Sequence, residues 1–358
     1  MNTTQTNEYQ LKKLKYFLRK IFLYLLIAIC IPCCNQNKGR VVYSDPVFPV
    51  DIEVEFEMII EDPVIPDLIR DMDFYKGKLA LLYELNNRFI HFFDAETGEE
   101  SGSFLNKGNG PGEVIYPGCF RLDQKTGTFT VFDIMTRQFF SGQIDSLYKG
   151  IELTSIKEDF STATYVFPLP QGYFIFQSPL ISAPERRYLL RNWNGEEVDY
   201  EGYPYDDFRL AHKLFVTHVL GFSKDGKKMV AAASPGTILE IFDIKKEIKK
   251  THTRYFWRLY GEFIGNQFRS DFDKSGVGIV DFYCTNKYIY ATLGEPNTDK
   301  RYENIAIFDW KGKPVKILRT KYYRLYQICL DDEERFLYVV GEKNDGILFL
   351  AKLDLSKY

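Results

Sequence analysis

Asp71 and Asp73 are the side chains in this sequence best placed to do chemistry together. They alternate with Met72 and Phe74, so on an extended chain both carboxylates project from one face. Two carboxylates sharing a face can take part in holding a hard cation through oxygen ligands. Calcium is the cofactor such a site implies, and only for an enzyme; a binding protein needs none. Other groups sort by position. Arg70, Arg121 and His218 start or follow apolar stretches and are candidate contacts for a ligand reaching the same face. Lys107 and Glu113 bracket a loop with three glycines and a proline, whose successive N–H groups can form a small anion-binding nest. Tyr203 and Tyr205 lie in Tyr200-Glu201-Gly202-Tyr203-Pro204-Tyr205, a composition suited to protein or sugar recognition as well as to packing within a long loop.

The familiar catalytic spacings are missing. His91, His212, His218 and His252 form no His-x-x-x-His pair, and no Cys-x-x-Cys follows residue 34. No Gly-x-Ser-x-Gly elbow is present, and no Gly-Lys-Ser/Thr follows the glycine loop. No catalytic residue and no complete metal-ligand set is assigned from the sequence.

The elements that must position these residues are strands. From Asp67 the chain reads as short apolar runs punctuated by turns: Ile69–Phe74, Lys76-Gly77, Leu79–Tyr83, Phe89–Phe93, Glu96-Thr97-Gly98, Ser101–Leu105. An apolar strand running into a polar turn recurs at Phe93-Asp94, Phe132-Asp133, Asn192 to Gly195, Phe242-Asp243, Phe308-Asp309 and Leu353-Asp354, each expected to precede the last strand of its module. That repeat length brackets the roughly 40–50 residues of a propeller blade. The fold class expected is all-β, a six-bladed β-propeller over residues 51–358. Its last module shows three strands, and Glu53–Ile60 is expected to complete it as the fourth, which removes the edges of an open array. The longer insertions are Ser178–Arg187, Tyr200–Leu214 and Arg258–Gly276.

Residues 1–33 read as a targeting segment. Five Lys/Arg precede the apolar run Ile21–Pro32, which is shorter than the roughly 20 residues a membrane span needs and fits a signal peptide. An apolar residue three places before Cys34, followed at once by polar Asn35–Lys38, resembles a bacterial lipobox, so Cys34 is the expected lipidated residue and Cys33 the alternative. Residues 34–50 are then a linker after the anchor, and the membrane is a partner through lipid. Without residues 1–33 the chain has 41 basic and 48 acidic residues, a net of −7, which argues against nucleic acid as a partner. Cys119, Cys284 and Cys329 sit in apolar runs and are expected to be buried thiols.

The segment Lys107-Gly108-Asn109-Gly110-Pro111-Gly112-Glu113 resembles the TolB-like six-bladed propeller lipoproteins of Gram-negative gut anaerobes, in which Lys-Gly-x-Gly-Pro-Gly-Glu follows the first blade. The similarity continues at Ser223–Lys228, Ile307–Val315 and Phe336–Tyr338, and covers nearly all of the chain after residue 33. It implies the fold and a cell-envelope location and supplies no catalytic residue. The periplasmic face of the outer membrane is expected, because Asn35 to Arg40 lacks the acidic residues that favour surface export in those bacteria. The expected function is a binding or protein-interaction module with an envelope protein, glycan or peptide partner. The alternative is a propeller hydrolase or lactonase using a channel metal.

Overall fold

The computed structural model describes residues 42–61, 69–145, 154–156, 165–177, 187–192, 194, 196–201, 219–233, 237–264, 267–296, 304–320 and 323–358. The chain starts with two short strands, β1 (Asp51–Glu53) and β2 (Glu57–Glu61). Blade 1 follows as β3 (Asp71–Tyr75), β4 (Lys78–Leu85), β5 (Arg88–Asp94) and β6 (Glu100–Asn106). Blade 2 is β7 (Pro117–Leu122), β8 (Thr128–Asp133), β9 (Gln138–Gln143) and β10 (Thr154–Ile156). Blade 3 is β11 (Tyr165–Leu169), β12 (Tyr173–Gln177), β13 (Tyr188–Asn192) and β14 (Glu197–Glu201). Blade 4 is β15 (Val219–Phe222), β16 (Lys228–Ala233), β17 (Thr237–Ile244) and β18 (Ile248–Trp257). A separate hairpin, β19 (Gly261–Ile264) and β20 (Gln267–Ser270), and a single helical turn, α1 (Phe272–Ser275), come before blade 5. Blade 5 is β21 (Gly278–Cys284), β22 (Tyr288–Gly294), β23 (Asn304–Asp309) and β24 (Pro314–Arg319). The last three strands are β25 (Tyr323–Leu330), β26 (Phe336–Lys343) and β27 (Leu348–Asp354), and blade 6 becomes four-stranded by taking β2 antiparallel against β27.

The chain is therefore an all-β six-bladed propeller, as the repeat predicts. Blade sheets are covered on both faces, which is why their middle strands read as unbroken apolar runs instead of alternating ones; Leu79 to Tyr83 are all fully buried. Apolar clusters fill the gaps between neighbouring blades. Leu82 with Val131 joins blades 1 and 2, Phe139 with Phe174 blades 2 and 3, and Leu190 with Phe242 blades 3 and 4. Ile241 with Phe308 joins blades 4 and 5, Ile305 with Val339 blades 5 and 6, and Leu81 with Val340 closes the ring from 6 to 1. Each leucine sealed in these gaps contributes roughly 2 kcal/mol relative to exposure.

Two features depart from the sequence expectation. The segment expected as one strand, Glu53–Ile60, is split between blades. β1 lies parallel to β24 of blade 5, Asp51 opposite Ile317, while β2 lies on blade 6. Between them Val54 and Phe56 turn into the apolar layer that joins those two blades. The segment ahead of β1 also follows the blade edges. Ser44 N–H donates to the Tyr255 carbonyl on blade 4 at 3.0 Å, and Phe48 packs on Phe308 of blade 5. Complementary charge fixes this belt: Asp51 with Arg319 at 2.7 Å, Glu57 with Lys352 at 3.4 Å and Glu61 with Lys343 at 2.9 Å. Lys352 also reaches Glu96 on blade 1, and Gly98 in the same turn has φ +72 with Ile60 so near that a Cβ would lie 2.4 Å from it.

The second departure is in blade 2. Phe132-Asp133 ends the second strand, β8, not the third, because a tight turn at Thr136-Arg137 starts β9 at once. Asp133 holds that turn by accepting from Met135 and Thr136 N–H groups, and it also accepts from Ile115 and Tyr116. The third strand ends at Gln143, which brings the spacing of the first four modules close to the 50-residue end of the propeller range. The long interval between blades 4 and 5 is filled by the β19–β20 hairpin and α1.

Candidate functional site

The first strand of each blade borders the central channel, and three of these strands bring charge to it. Asp71 and Asp73 do project from the same side of β3, each half-buried and alternating with buried Met72 and Phe74. The sequence does not mark their companion, Asp281 on β21 of blade 5. Part of this acid set is structural. Asp71 Oδ1 accepts from Met72 N–H at 3.0 Å and Oδ2 from Phe120 N–H at 3.3 Å, so it joins blade 1 to blade 2. Asp281 Oδ2 accepts from Ile328 N–H at 3.0 Å and joins blade 5 to blade 6 in the same way. Asp73 Oδ1 accepts from Phe74 N–H at 2.9 Å.

Enclosure by the ring pushes these acids up. Desolvation raises Asp71 from 3.8 to about 6 against the pull of Arg121. Desolvation, with the charge of Asp71 adding, raises Asp73 to about 7 and Asp281 to about 8. At neutral pH the group therefore holds protons that ordinary aspartates have lost.

Arg121, on β7 of blade 2, is the cation among them. Its guanidinium lies 5.6 Å from the centres of both the Phe167 ring on blade 3 and the Phe222 ring on blade 4. Two flanking rings fix a planar cation without using its N–H groups. No ion pair or hydrogen bond of Arg121 occurs among the described residues. One side of the channel thus carries acids and the other aromatic rings, with Arg121 between them.

One end of the channel is crossed by Gln124, from the turn after β7. Its Nε2 donates to the Tyr283 hydroxyl at 2.9 Å, to the Leu330 carbonyl at 3.2 Å and to Asp73 at 3.4 Å, and its Oε1 accepts from Lys224 at 2.9 Å. One carboxamide therefore ties blade 2 to blades 1, 4, 5 and 6. Nothing in the sequence around Asp123-Gln124-Lys125 distinguishes it from an ordinary turn.

Other candidates lie elsewhere. Arg70 faces the gap between blades 1 and 2, over the Tyr116 ring at 3.9 Å, with Nη1 donating to the Pro117 carbonyl at 3.3 Å. Lys107 pairs with Glu84 at 2.6 Å. Glu113 folds back into its own loop, accepting from Gly110 N–H at 2.8 Å and lying where a Cβ on Gly108 would be 1.9 Å from Oε2. The anion in that nest is the protein's own carboxylate. Cys34, Tyr203, Tyr205 and His218 lie outside the described residues. Cys119, Cys284 and Cys329 are free and buried on inner strands, and burial raises all three thiols. Among the described residues no group of three or more His, Cys, Asp or Glu is placed to hold a metal ion.

The chain is similar to known proteins in its fold. The family described as TolB-like 6-blade propeller-like matches residues 75–333. A solved Bacteroides fragilis structure, named as an exported protein, superposes with a TM-score of 0.51 at 12% identity, covering 85% of this chain and 98% of that one. A DUF4221 family member from Bacteroides vulgatus superposes with a TM-score of 0.50 at 12% identity, covering 84% of this chain and 99% of that one. No curated protein matches.

Proposed function

The chain belongs to the TolB-like 6-blade propeller-like family, and from that premise we propose that it is an envelope binding module whose channel receives an acidic group of a protein or peptide partner. The observation that carries this is Arg121, a guanidinium held between Phe167 and Phe222 with its N–H groups uncommitted among the described residues. A guanidinium presents a planar fork that matches a carboxylate. The neighbouring acids assist instead of opposing it. Asp281, raised to about 8, and Asp73, raised to about 7, keep protons at neutral pH that ordinary aspartates have lost, and a protonated carboxyl is a hydrogen-bond donor. Gln124 and Lys224 form the floor beneath.

Binding an anion here favours the protonated acids, so affinity rises as pH falls from above 8 towards 6. Crosslinking in intact cells tests the reading. A partner captured by the wild type is lost with Arg121→Ala while circular dichroism shows the fold kept, and equal capture by the variant overturns the proposal. Tyr203→Ala with Tyr205→Ala asks the same of the tyrosine-rich segment Tyr200–Tyr205.

The module is attached to the membrane through lipid on Cys34 after removal of residues 1–33, at the periplasmic face. The apolar run ending before Cys34 and the polar residues after it support this, as does the exported description of the Bacteroides fragilis neighbour. Several acyl chains anchor firmly where one does not. Cys34→Ser releases the protein from membrane fractions or blocks its processing; if Cys33→Ser does so instead, the anchor is one residue earlier.

A further inference from the structure

A second cavity, away from the channel, lies between the N-terminal belt and the insertion that precedes blade 5. It is an open cleft of about 620 Å³ lined by Tyr43 to Pro46, Phe256 to Arg258, Tyr260, Lys274, Glu295 and Pro296. Its walls come from three places in the chain: the belt, the end of β18 with the segment around α1, and the exit of β22. The belt wall is fixed by the Ser44–Tyr255 backbone bond and by Tyr43 set edge-on to Tyr255 at 5.7 Å. The opposite wall is fixed by Ser275, whose hydroxyl accepts from Tyr260 N–H at 2.7 Å.

The charges lining this cavity largely cancel one another. Lys274 is held by Asp271 at 2.8 Å, and Glu295 is held by Arg319 at 2.7 Å and by Asn304 at 2.9 Å. That leaves Arg258, stacked on the Tyr260 ring at 5.7 Å, against the exposed Asp45 carboxylate, one positive group and one negative. Aromatic surface remains open beside them, with Tyr43 36% and Tyr260 43% exposed. Trp257 is only 8% exposed, but its indole N–H, with no hydrogen bond among the described residues, is not one of the sealed polar groups and stays accessible to solvent.

Ring faces, a planar guanidinium, a carboxylate and an indole donor, with no net charge, are complementary to a ligand with apolar C–H faces and many neutral hydroxyls. We propose that this cavity binds a neutral oligosaccharide. Sugar rings lie on Tyr260 and Tyr43, hydroxyls accept from Trp257 and Arg258, and hydroxyls donate to Asp45. Arg258 and Asp45 together give the cavity no net charge to favour an ionic ligand.

Calorimetry with neutral hexasaccharides of glucose, mannose and xylose, alongside oligogalacturonate and an acidic peptide, tests the inference on the intact chain after residue 33. At least one neutral sugar binds, with a change in tryptophan emission, and the charged probes do not bind at this cavity. Tyr260→Ala and Arg258→Ala each weaken that binding about tenfold or more, whereas Arg121→Ala leaves it unchanged. All three positions are solvent-accessible, so circular dichroism should show an intact fold in each variant. No neutral sugar bound at about 10 mM, binding unaffected by both cavity variants, or binding lost with Arg121→Ala overturns the inference, and only the last outcome moves the sugar to the channel.

Discussion

Between blades 3 and 4, Arg187 Nη1 meets Glu240 Oε2 at 2.7 Å with both side chains fully sealed from solvent, whereas in the channel Arg121 stands near three carboxylates and pairs with none of the described residues. The sealed pair is closely supported. Lys250 approaches the second Glu240 oxygen at 3.3 Å, and the Arg187 guanidinium lies 4.4 Å from the Tyr188 ring centre. The pair is shut off from solvent and docks one blade on the next. The channel group has more acids than cations, keeps contact with the channel's solvent, and holds protons at neutral pH. Burial alone therefore does not mark a functional charge in this ring; an unmatched charge beside open space does.

That contrast breaks most sharply at Glu240. Glu240→Ala strands a buried guanidinium and should cost about 3–5 kcal/mol in urea unfolding. Arg187→Met combined with Glu240→Leu should recover most of it, since a matched apolar pair removes both charges. A smaller effect of opposite sign is expected at Asp281. Its folded value of about 8 lies above the ordinary 3.8, so the native state binds more protons than the unfolded chain between those values. Stability from this group is present at low pH and is lost as pH rises through about 8. Asp281→Asn should remove that loss and raise stability at pH 8 on the order of 1 kcal/mol, after allowing for its partial exposure. A wild-type stability curve flat between pH 5 and 8 would contradict the raised values.

Arg121→Ala comes next. Losing its two ring contacts should cost about 1 kcal/mol or less. With the cation gone, the apparent pKa values of Asp71, Asp73 and Asp281 should move further up, which carboxyl NMR titration reads directly. Lys76→Ala sharpens the lower limit, because the exposed pair with Asp145 at 3.1 Å should leave the melting temperature unchanged.

The sequence shows the ring more clearly than it shows the site. Turn signals such as Lys76-Gly77 and Asp225-Gly226 fall at hairpins, and the shared face of Asp71 and Asp73 follows from strand periodicity alone. The split of Glu53–Ile60 is hidden because Val54 and Phe56 keep the alternation of one continuous strand. The Phe132-Asp133 signal is accurate about a strand end and misleading about which strand, since Asp133 caps an early turn. Asp281 and Gln124 gain their roles only through neighbours more than 40 positions away. Glu240 leaves one trace, a lone acid in the apolar run Ile238-Leu239-Glu240-Ile241-Phe242.

The belt also sets the order in which the molecule can be completed. Glu57 pairs with Lys352, 295 positions later. On a ribosome the seam strand is made early and must wait, unmatched, until the final hairpin has emerged. Loop closure over such a distance is slow, so the nascent chain carries an open β-edge through most of its synthesis. Any factor that shields that edge would act on residues 57–61, far in sequence from the hairpin that finally covers them.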